Sequence, residues 1–304
     1  MTEHLIHIGL PKTGSTYLQR WFAKHPQMIY HEGGIAGFGD VYEMSRQAAS
    51  AGPTKVRVTS SEFLSVAYDR AGLQADHLLQ GTINKDAQAR ICASLASLFP
   101  TAYVLLVTRG FRELLLSSYS QYVRDGGASD FWDPLPEAAE EQMQAWNYDA
   151  IVGLYRRAFG DRLIVLPYEL LRDDPGRFLT EIEDRIGVIH YPALSEAVNA
   201  ALSPIELQWY PRISRFVRRL PVGDRLRRKI FAAYVSRIGG RRFGRLIAVL
   251  DRLRPADSFQ PSAQWESALA SQVKGMADSL CRDPNFEPYA AEYILHLSAD
   301  AGAC

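Results

Sequence analysis

The chain has no run of about 18 apolar residues, so it offers no membrane-spanning helix. It has only three cysteines in 304 residues, Cys92, Cys281 and Cys304. An odd number at no paired or metal-ligand spacing excludes a disulfide framework and points to a reducing compartment. The seven histidines are scattered, no His/Cys/Asp set has ligand spacing, and no metal is expected. The opening residues MTEHLIHIGL lack a basic start and a signal-length apolar core, so no secretory signal is expected and a cytoplasmic location is the simplest reading. Internal repeats and low-complexity tracts are missing as well. With 47% hydrophobic and 22% charged residues, the composition excludes disordered and collagen-like chains and is that of a globular protein large enough for a sizeable core.

Net charge is also lacking, since 34 basic side chains face 34 acidic ones. That balance hides an asymmetry. From Arg212 to Arg254 thirteen Arg and one Lys stand against Asp224 and Asp251, a local +12 that leaves −12 on the rest of the chain. The same stretch interleaves Ile213, Phe216, Val217, Leu220, Leu226, Ile230, Phe231, Tyr234 and Val235. It reads as amphipathic basic helices broken at Pro221 and Gly239-Gly240. Three readings stay open: solvated helix faces packed on the core, a lid for an anionic acceptor such as a polysaccharide, or a peripheral contact with anionic lipid on the inner face of the membrane. No nucleic-acid-reading motif accompanies the charge, and no nucleic acid partner is expected.

Leu5 to Gly9 predicts a short buried strand and Ser15 to Lys24 a helix with Tyr17, Leu18, Trp21 and Phe22 on one face. Pro26 ends it. Met28 to Tyr30 predicts a second short strand, followed by a loop carrying Gly33, Gly34, Gly37 and Gly39, and Lys55 to Thr59 alternates as a third strand. Asp86 to Leu98 predicts a helix, closed by Pro100 before Ala102 to Val107, an apolar run suited to a central parallel strand. Then come a helix from near Gly110, a loop around Phe131 to Pro136, a helix from about Glu137 to Phe159, the strand Leu163 to Leu166 and a helix from Asp174 to Ile186. This alternation implies parallel βαβ units, hence an α/β fold of three layers, α/β/α, around a central parallel sheet with its ligand edge at the βα loops. The expected organisation is one domain over residues 1–304, with an α/β core to about 205 and a helical lid or appendage over about 206–304.

Gly9-Leu10-Pro11-Lys12-Thr13-Gly14-Ser15-Thr16 lies between the first strand and the first helix. A glycine-containing turn there aims successive backbone N–H groups, and the helix dipole behind them, at one point, which suits a phosphate. A nucleoside-triphosphatase P-loop would read Gly-x4-Gly-Lys-Ser/Thr; here Gly14 is followed by Ser15 and the lysine sits inside the loop as Lys12. The strand Tyr103 to Val107 leads into Thr108-Arg109, where a triphosphatase usually places a metal-holding Asp.

Pro11-Lys12-Thr13-Gly14-Ser15-Thr16 followed by Tyr17-Leu18-Gln19 resembles the 5′-phosphosulfate loop of the sulfotransferases that use 3′-phosphoadenosine 5′-phosphosulfate (PAPS). That family's second motif, an Arg ending a later strand and a Ser eight residues on, is similar to Arg109 and Ser117, with Tyr119 and Tyr122 beyond. Phe159 to Arg162, Leu166 to Pro175, Val198-Asn199 and Leu202-Ser203-Pro204 are also similar to family segments, so the resemblance covers about residues 4 to 205. The family's C-terminal Arg-x-Gly-x-x-Gly-Asp-Trp loop has no counterpart. The resemblance implies PAPS as co-substrate without a metal, and an acceptor bearing a hydroxyl or amine. Lys12 would meet the leaving phosphate oxygen, Thr13, Gly14, Ser15 and Thr16 would supply loop contacts, and Arg109 with Ser117 would hold the 3′-phosphate.

It also implies a general base at the end of a strand beside the loop. Glu62, in Thr59-Ser60-Ser61-Glu62, lies where cytosolic relatives carry their catalytic His by strand order; Glu32, with His31 beside it, lies roughly where heparan and tyrosyl-protein sulfotransferases carry their catalytic Glu. Glu62 has a second reading, because Thr59-x-x-Glu62 is a capping box. Two rival functions remain at this level, a P-loop kinase of a small substrate and a non-catalytic nucleotide-binding module docking through its basic helices.

Overall fold

The computed structural model describes residues 3–40, 42–43, 56–65, 85–129, 146–195, 202–239, 243–244, 247, 249, 252 and 263–295. β1 (Glu3–Ile8) leads into α1 (Ser15–Lys24), followed by β2 (Met28–Tyr30), β3 (Val56–Ser61), a 3₁₀ turn at Glu62–Leu64 and α2 (Lys85–Leu98). Next come β4 (Tyr103–Thr108), α3 (Phe111–Arg124), α4 (Tyr148–Phe159), β5 (Leu163–Pro167), α5 (Tyr168–Asp173) and α6 (Pro175–Ile186). After these come α7 (Pro204–Arg218), α8 (Asp224–Gly239), α9 (Ala263–Val273) and the short α10 (Ala290–Tyr293).

The five strands form one parallel sheet in the order β2-β3-β1-β4-β5. Val104, Leu105, Leu106 and Val107 of β4 are all fully buried, as a parallel strand covered on both faces requires. Alternate residues feed two cores. Ile6, Ile8, Val104, Leu106 and Val165 pack with α3, α4 and the C-terminal helices, while Leu5, Val58, Leu105, Val107 and Leu166 pack with α1, α5 and α6. The expected three-layer α/β/α arrangement is what the chain adopts. Because all strands point one way and the order reverses around β1, the loops after β1, β3, β4 and β5 share one edge, at the switch point where α/β sheets bind ligands.

One expectation needs correction, and one element is added. The helix expected from about Glu137 begins at Tyr148, because Asn147 turns the chain and caps it by accepting from the Ala150 N–H; residues 137–145 and the Phe131 to Pro136 loop lie outside the described residues. The segment after β5 holds an extra short helix, α5, ahead of α6. Asp174 ends α5 and caps α6 through its carboxylate, with Pro175 at the first position.

β1 carries two histidines held neutral by their surroundings. Burial and Arg57 lower His4 to about 4, and burial lowers His7 to about 3. His4 Nε2 bonds Thr59 Oγ1 at 2.8 Å and His7 Nδ1 bonds Ser60 Oγ at 2.7 Å. Depressed folded pKa values mean stability that is complete above the unfolded value near 6.5 and is lost as pH falls toward 4. Each histidine is expected to remove about 2 kcal/mol of stability between pH 7 and pH 5. Urea unfolding at both pH values should show that drop shrinking by about 2 kcal/mol in His7→Gln; an unchanged drop would refute the assignment.

Candidate active site

The loop after β1 is strained where it turns. Lys12 has φ +65° and Gly14 φ +84°; glycine takes that conformation freely, whereas for lysine it costs on the order of 1 kcal/mol. Thr13, fully buried, braces the turn by donating from Oγ1 to the Leu10 carbonyl at 2.7 Å. Its hydroxyl is thereby spent on the loop.

Gly14 is the N-cap of α1 and has no side chain to cap it, and the first turn carries no acid. The leading N–H groups of α1 and the positive end of its dipole are thus open to an anion. Among the described residues the buried Ser15 hydroxyl has no hydrogen-bond partner, and Thr16 is exposed beside it. A Cβ on Gly14 would come within 2.9 Å of Leu171 and 3.2 Å of Tyr168, so α5 closes on the loop tip only because position 14 is glycine. A Cβ on Gly9 would stand 2.9 Å from Ser15 Oγ and 3.1 Å from Glu62 Cγ. Ser15 and Glu62 therefore face the same point at the end of β1.

Lys12 reaches across to α3, donating from Nζ to Gln121 Oε1 at 3.0 Å, while Gln121 Nε2 donates to the Asp125 carboxylate at 3.1 Å. Burial lowers the Lys12 pKa; the Glu62 and Asp125 carboxylates oppose that, and Arg124 and Arg109 add to it. Lys12 is thus a partly desolvated cation with Glu62 as its strongest carboxylate neighbour.

Arg109 follows β4 on the other side of β1. Its Nη1 donates to the Lys12 carbonyl at 2.8 Å and its Nη2 to Glu113 Oε2 at 3.1 Å. Its guanidinium lies 4.3 Å from the Tyr168 ring centre, and its buried Nε has no partner among the described residues. Glu113 is shared, since Arg172 Nη1 donates to its Oε1 at 2.7 Å. The Arg109 backbone is fixed on both sides: Tyr148 Oη donates to its carbonyl at 2.7 Å and accepts from its N–H at 3.3 Å.

The next residue is tied deeper still. Gly110 N–H donates to Glu169 Oε1 at 2.9 Å, Tyr293 Oη donates to Glu169 Oε2 at 2.8 Å, and Tyr293 Oη also bonds Thr108 Oγ1 at 3.0 Å. Glu169 is fully buried, and burial raises its pKa against the pull of these hydrogen bonds. A Cβ on Gly110 would meet Glu292 Cβ at 2.5 Å, so α10 passes directly over the start of α3. The C-terminal segment thus completes the support behind Arg109.

Of the residues expected from sequence, Lys12, Gly14, Ser15, Glu62 and Arg109 meet at this edge. Ser117 stands two turns along α3, half-buried, and no hydrogen bond joins it to Arg109 among the described residues. His31 and Glu32 are exposed on the loop after β2, where His31 Nδ1 bonds the Glu32 carbonyl at 2.9 Å. The capping reading of Glu62 is not what forms: Thr59 Oγ1 instead accepts from the Ala36 N–H at 2.8 Å and bonds His4, and β3 runs on to Ser61. Tyr119 and Tyr122 are core residues that shape the turn after α3, Tyr122 Oη accepting from the Ala128 and Ser129 N–H groups. Sequence reasoning missed Glu113, Gln121, Tyr148, Glu169 and Tyr293. Tyr168-Glu169 directly after β5 was the one local signal among them. Among the described residues no group of His, Cys, Asp and Glu could hold a metal ion.

A search of curated proteins finds no match. Among solved structures, the chain is similar to a sulfotransferase from Alicyclobacillus acidocaldarius, with 16% identity and a TM-score of 0.46, over 70% of this chain and 93% of that one. A family model described as the sulfotransferase family matches residues 5–192. That span is more than half of the chain and contains the Lys12 loop, Glu62, Arg109 and the Tyr168-Glu169 turn, and the chain belongs to the sulfotransferase family.

Proposed function

We propose that this protein moves a sulfuryl group from PAPS to the hydroxyl of an acceptor. The observation that carries the reading is the 2.8 Å hydrogen bond from Arg109 Nη1 to the Lys12 carbonyl. It joins two motifs 97 residues apart into one cationic edge, as a nucleotide with phosphates on both the 5′ and 3′ sides requires. The residues fit such a donor: the uncapped start of α1 and, among the described residues, the unpartnered Ser15 hydroxyl and Arg109 Nε are anion-seeking groups.

PAPS supplies an activated sulfuryl group whose leaving group is a phosphate. In this reading Thr13, Gly14, Ser15 and Thr16 hold the 5′ side through backbone N–H groups and the Ser15 and Thr16 hydroxyls. Lys12 places its ammonium against charge that develops as the sulfur–oxygen bond breaks. Arg109, with Ser117, takes the 3′-phosphate, and Glu113 then keeps Arg172 as its partner. Glu62 accepts the acceptor's proton. Such transfer needs alignment and charge stabilisation rather than a covalent protein intermediate.

Calorimetry with 3′,5′-adenosine bisphosphate (PAP), ADP and Mg-ATP tests the donor. PAP is expected to bind, with ADP and Mg-ATP much weaker. Arg109→Ala should lower PAP affinity about 30-fold or more, the cost of unpairing a charge-assisted contact. Tight Mg-ATP binding with no PAP binding would replace this reading with a kinase.

A further inference from the structure

α7 and α8 run back along each other and turn at residues 219–223. Tyr234 Oη donates to the Tyr210 carbonyl at 2.8 Å and Ser214 Oγ to Tyr234 Oη at 3.1 Å. Tyr210, Val217, Tyr234 and Ile238 line the buried side. The other side is unlike an ordinary solvated face. Arg219, Arg225, Arg228 and Lys229 are exposed around the turn and along α8. Asp224, the only acid from residue 207 to 239, is paired with Arg227. Among these cations two large apolar side chains stand in solvent, Phe216 at 67% and Leu226 at 52% exposure.

We propose that this turn docks on an anionic lipid surface. A soluble polyanion would satisfy the cations but offers nothing to Phe216 and Leu226, whereas a bilayer interface takes cations among the headgroups and apolar side chains at the acyl boundary. The surface is also anchored beside the catalytic edge. Phe231 and Val235 of α8 pack against Gly126 so closely that a Cβ there would lie 2.5 Å from the Phe231 ring, and Arg218 Nη2 donates to the Gly126 carbonyl at 3.2 Å. Gly126 follows Asp125, whose carboxylate holds Gln121 and acts on Lys12. A docked molecule would therefore receive its acceptor from the bilayer interface, a consequence that rests on the sulfotransferase reading although the docking itself does not.

Vesicle co-sedimentation of the full chain tests this. Wild type is expected to bind vesicles of mixed phosphatidylglycerol and phosphatidylcholine and to ignore phosphatidylcholine alone. The triple variant Arg225→Gln, Arg228→Gln, Lys229→Gln should bind about a hundredfold more weakly, about fivefold for each cation. Phe216→Ser with Leu226→Ser should lose about tenfold or more. All these positions are solvent-facing, so thermal unfolding should be unchanged, which separates lost docking from lost fold. Equal binding to both vesicle types, or a Phe216/Leu226 variant that binds like wild type, would overturn the proposal. So would retention on heparin without vesicle binding, which would assign the surface to a soluble polyanion. Loss of PAP binding in wild type would instead count against the proposed transfer and leave the vesicle result standing.

Discussion

Lys12→Met is expected to lower turnover about a thousandfold while PAP affinity changes by less than about tenfold. The side chain is removed as a charge but kept as a volume, so the positive-φ turn at residue 12 carries the same backbone cost in both proteins. In the proposed transfer Lys12 is one of several groups at the 5′ side, beside the open start of α1 and the Ser15 hydroxyl, and ground-state binding is spread over them. Charge on the leaving phosphate grows only as the bond breaks, and a partly buried ammonium with lowered pKa acts on it through little water. Its effect therefore falls mainly on the transition state. The measurement is PAP formed from PAPS in single turnover with an accepted alcohol. A rate within about threefold of wild type would make Lys12 a turn residue bonded to Gln121 and nothing more.

The contrast between Lys12 and its support explains which parts of this site can be read in a sequence. The sheet was legible because β4 and β5 are short apolar runs, the mark that parallel strands buried on both faces leave, and β3 shows an alternating pattern. The Lys12 loop and Arg109, the proposed donor edge, were legible because anion sites at strand ends use local patterns of Gly, Ser, Lys and Arg. Gln121, Tyr148 and Tyr293 were not, since each acts across the fold: Gln121 accepts from Lys12 109 residues away, Tyr148 clasps the Arg109 backbone from 39, and Tyr293 reaches Glu169 from 124. A tyrosine within a helical pattern reads as core, and both are core by burial; only the hydroxyl's partner reveals the second task. α5 was missed for a related reason. Its six residues are too few to show a helical period, and it forms because it packs over Gly14, a tertiary cause.

The same distinction between local pattern and spatial meeting decides the choice of base. Glu62→Gln is expected to lower turnover about a thousandfold with PAP affinity unchanged, whereas Glu32→Gln and His31→Gln should leave both within about threefold. The sequence leaves the three residues as rivals, and by pattern Thr59-x-x-Glu62 could be a cap. In the folded chain the Thr59 hydroxyl bonds His4 and accepts from the Ala36 N–H, so it is engaged away from a capping box with Glu62. Glu62 enters the edge from β3, directly beside β1, facing Ser15 across Gly9 and acting on Lys12. His31 and Glu32 are exposed after β2, one strand further out. A base must lie within hydrogen-bond reach of the proton it takes, and in the proposed transfer Glu62, beside both Lys12 and Ser15, is the carboxylate placed for it. If Glu32→Gln abolished turnover and Glu62→Gln did not, the acceptor would have to approach over the β2 side, and the roles given to the two strands would exchange.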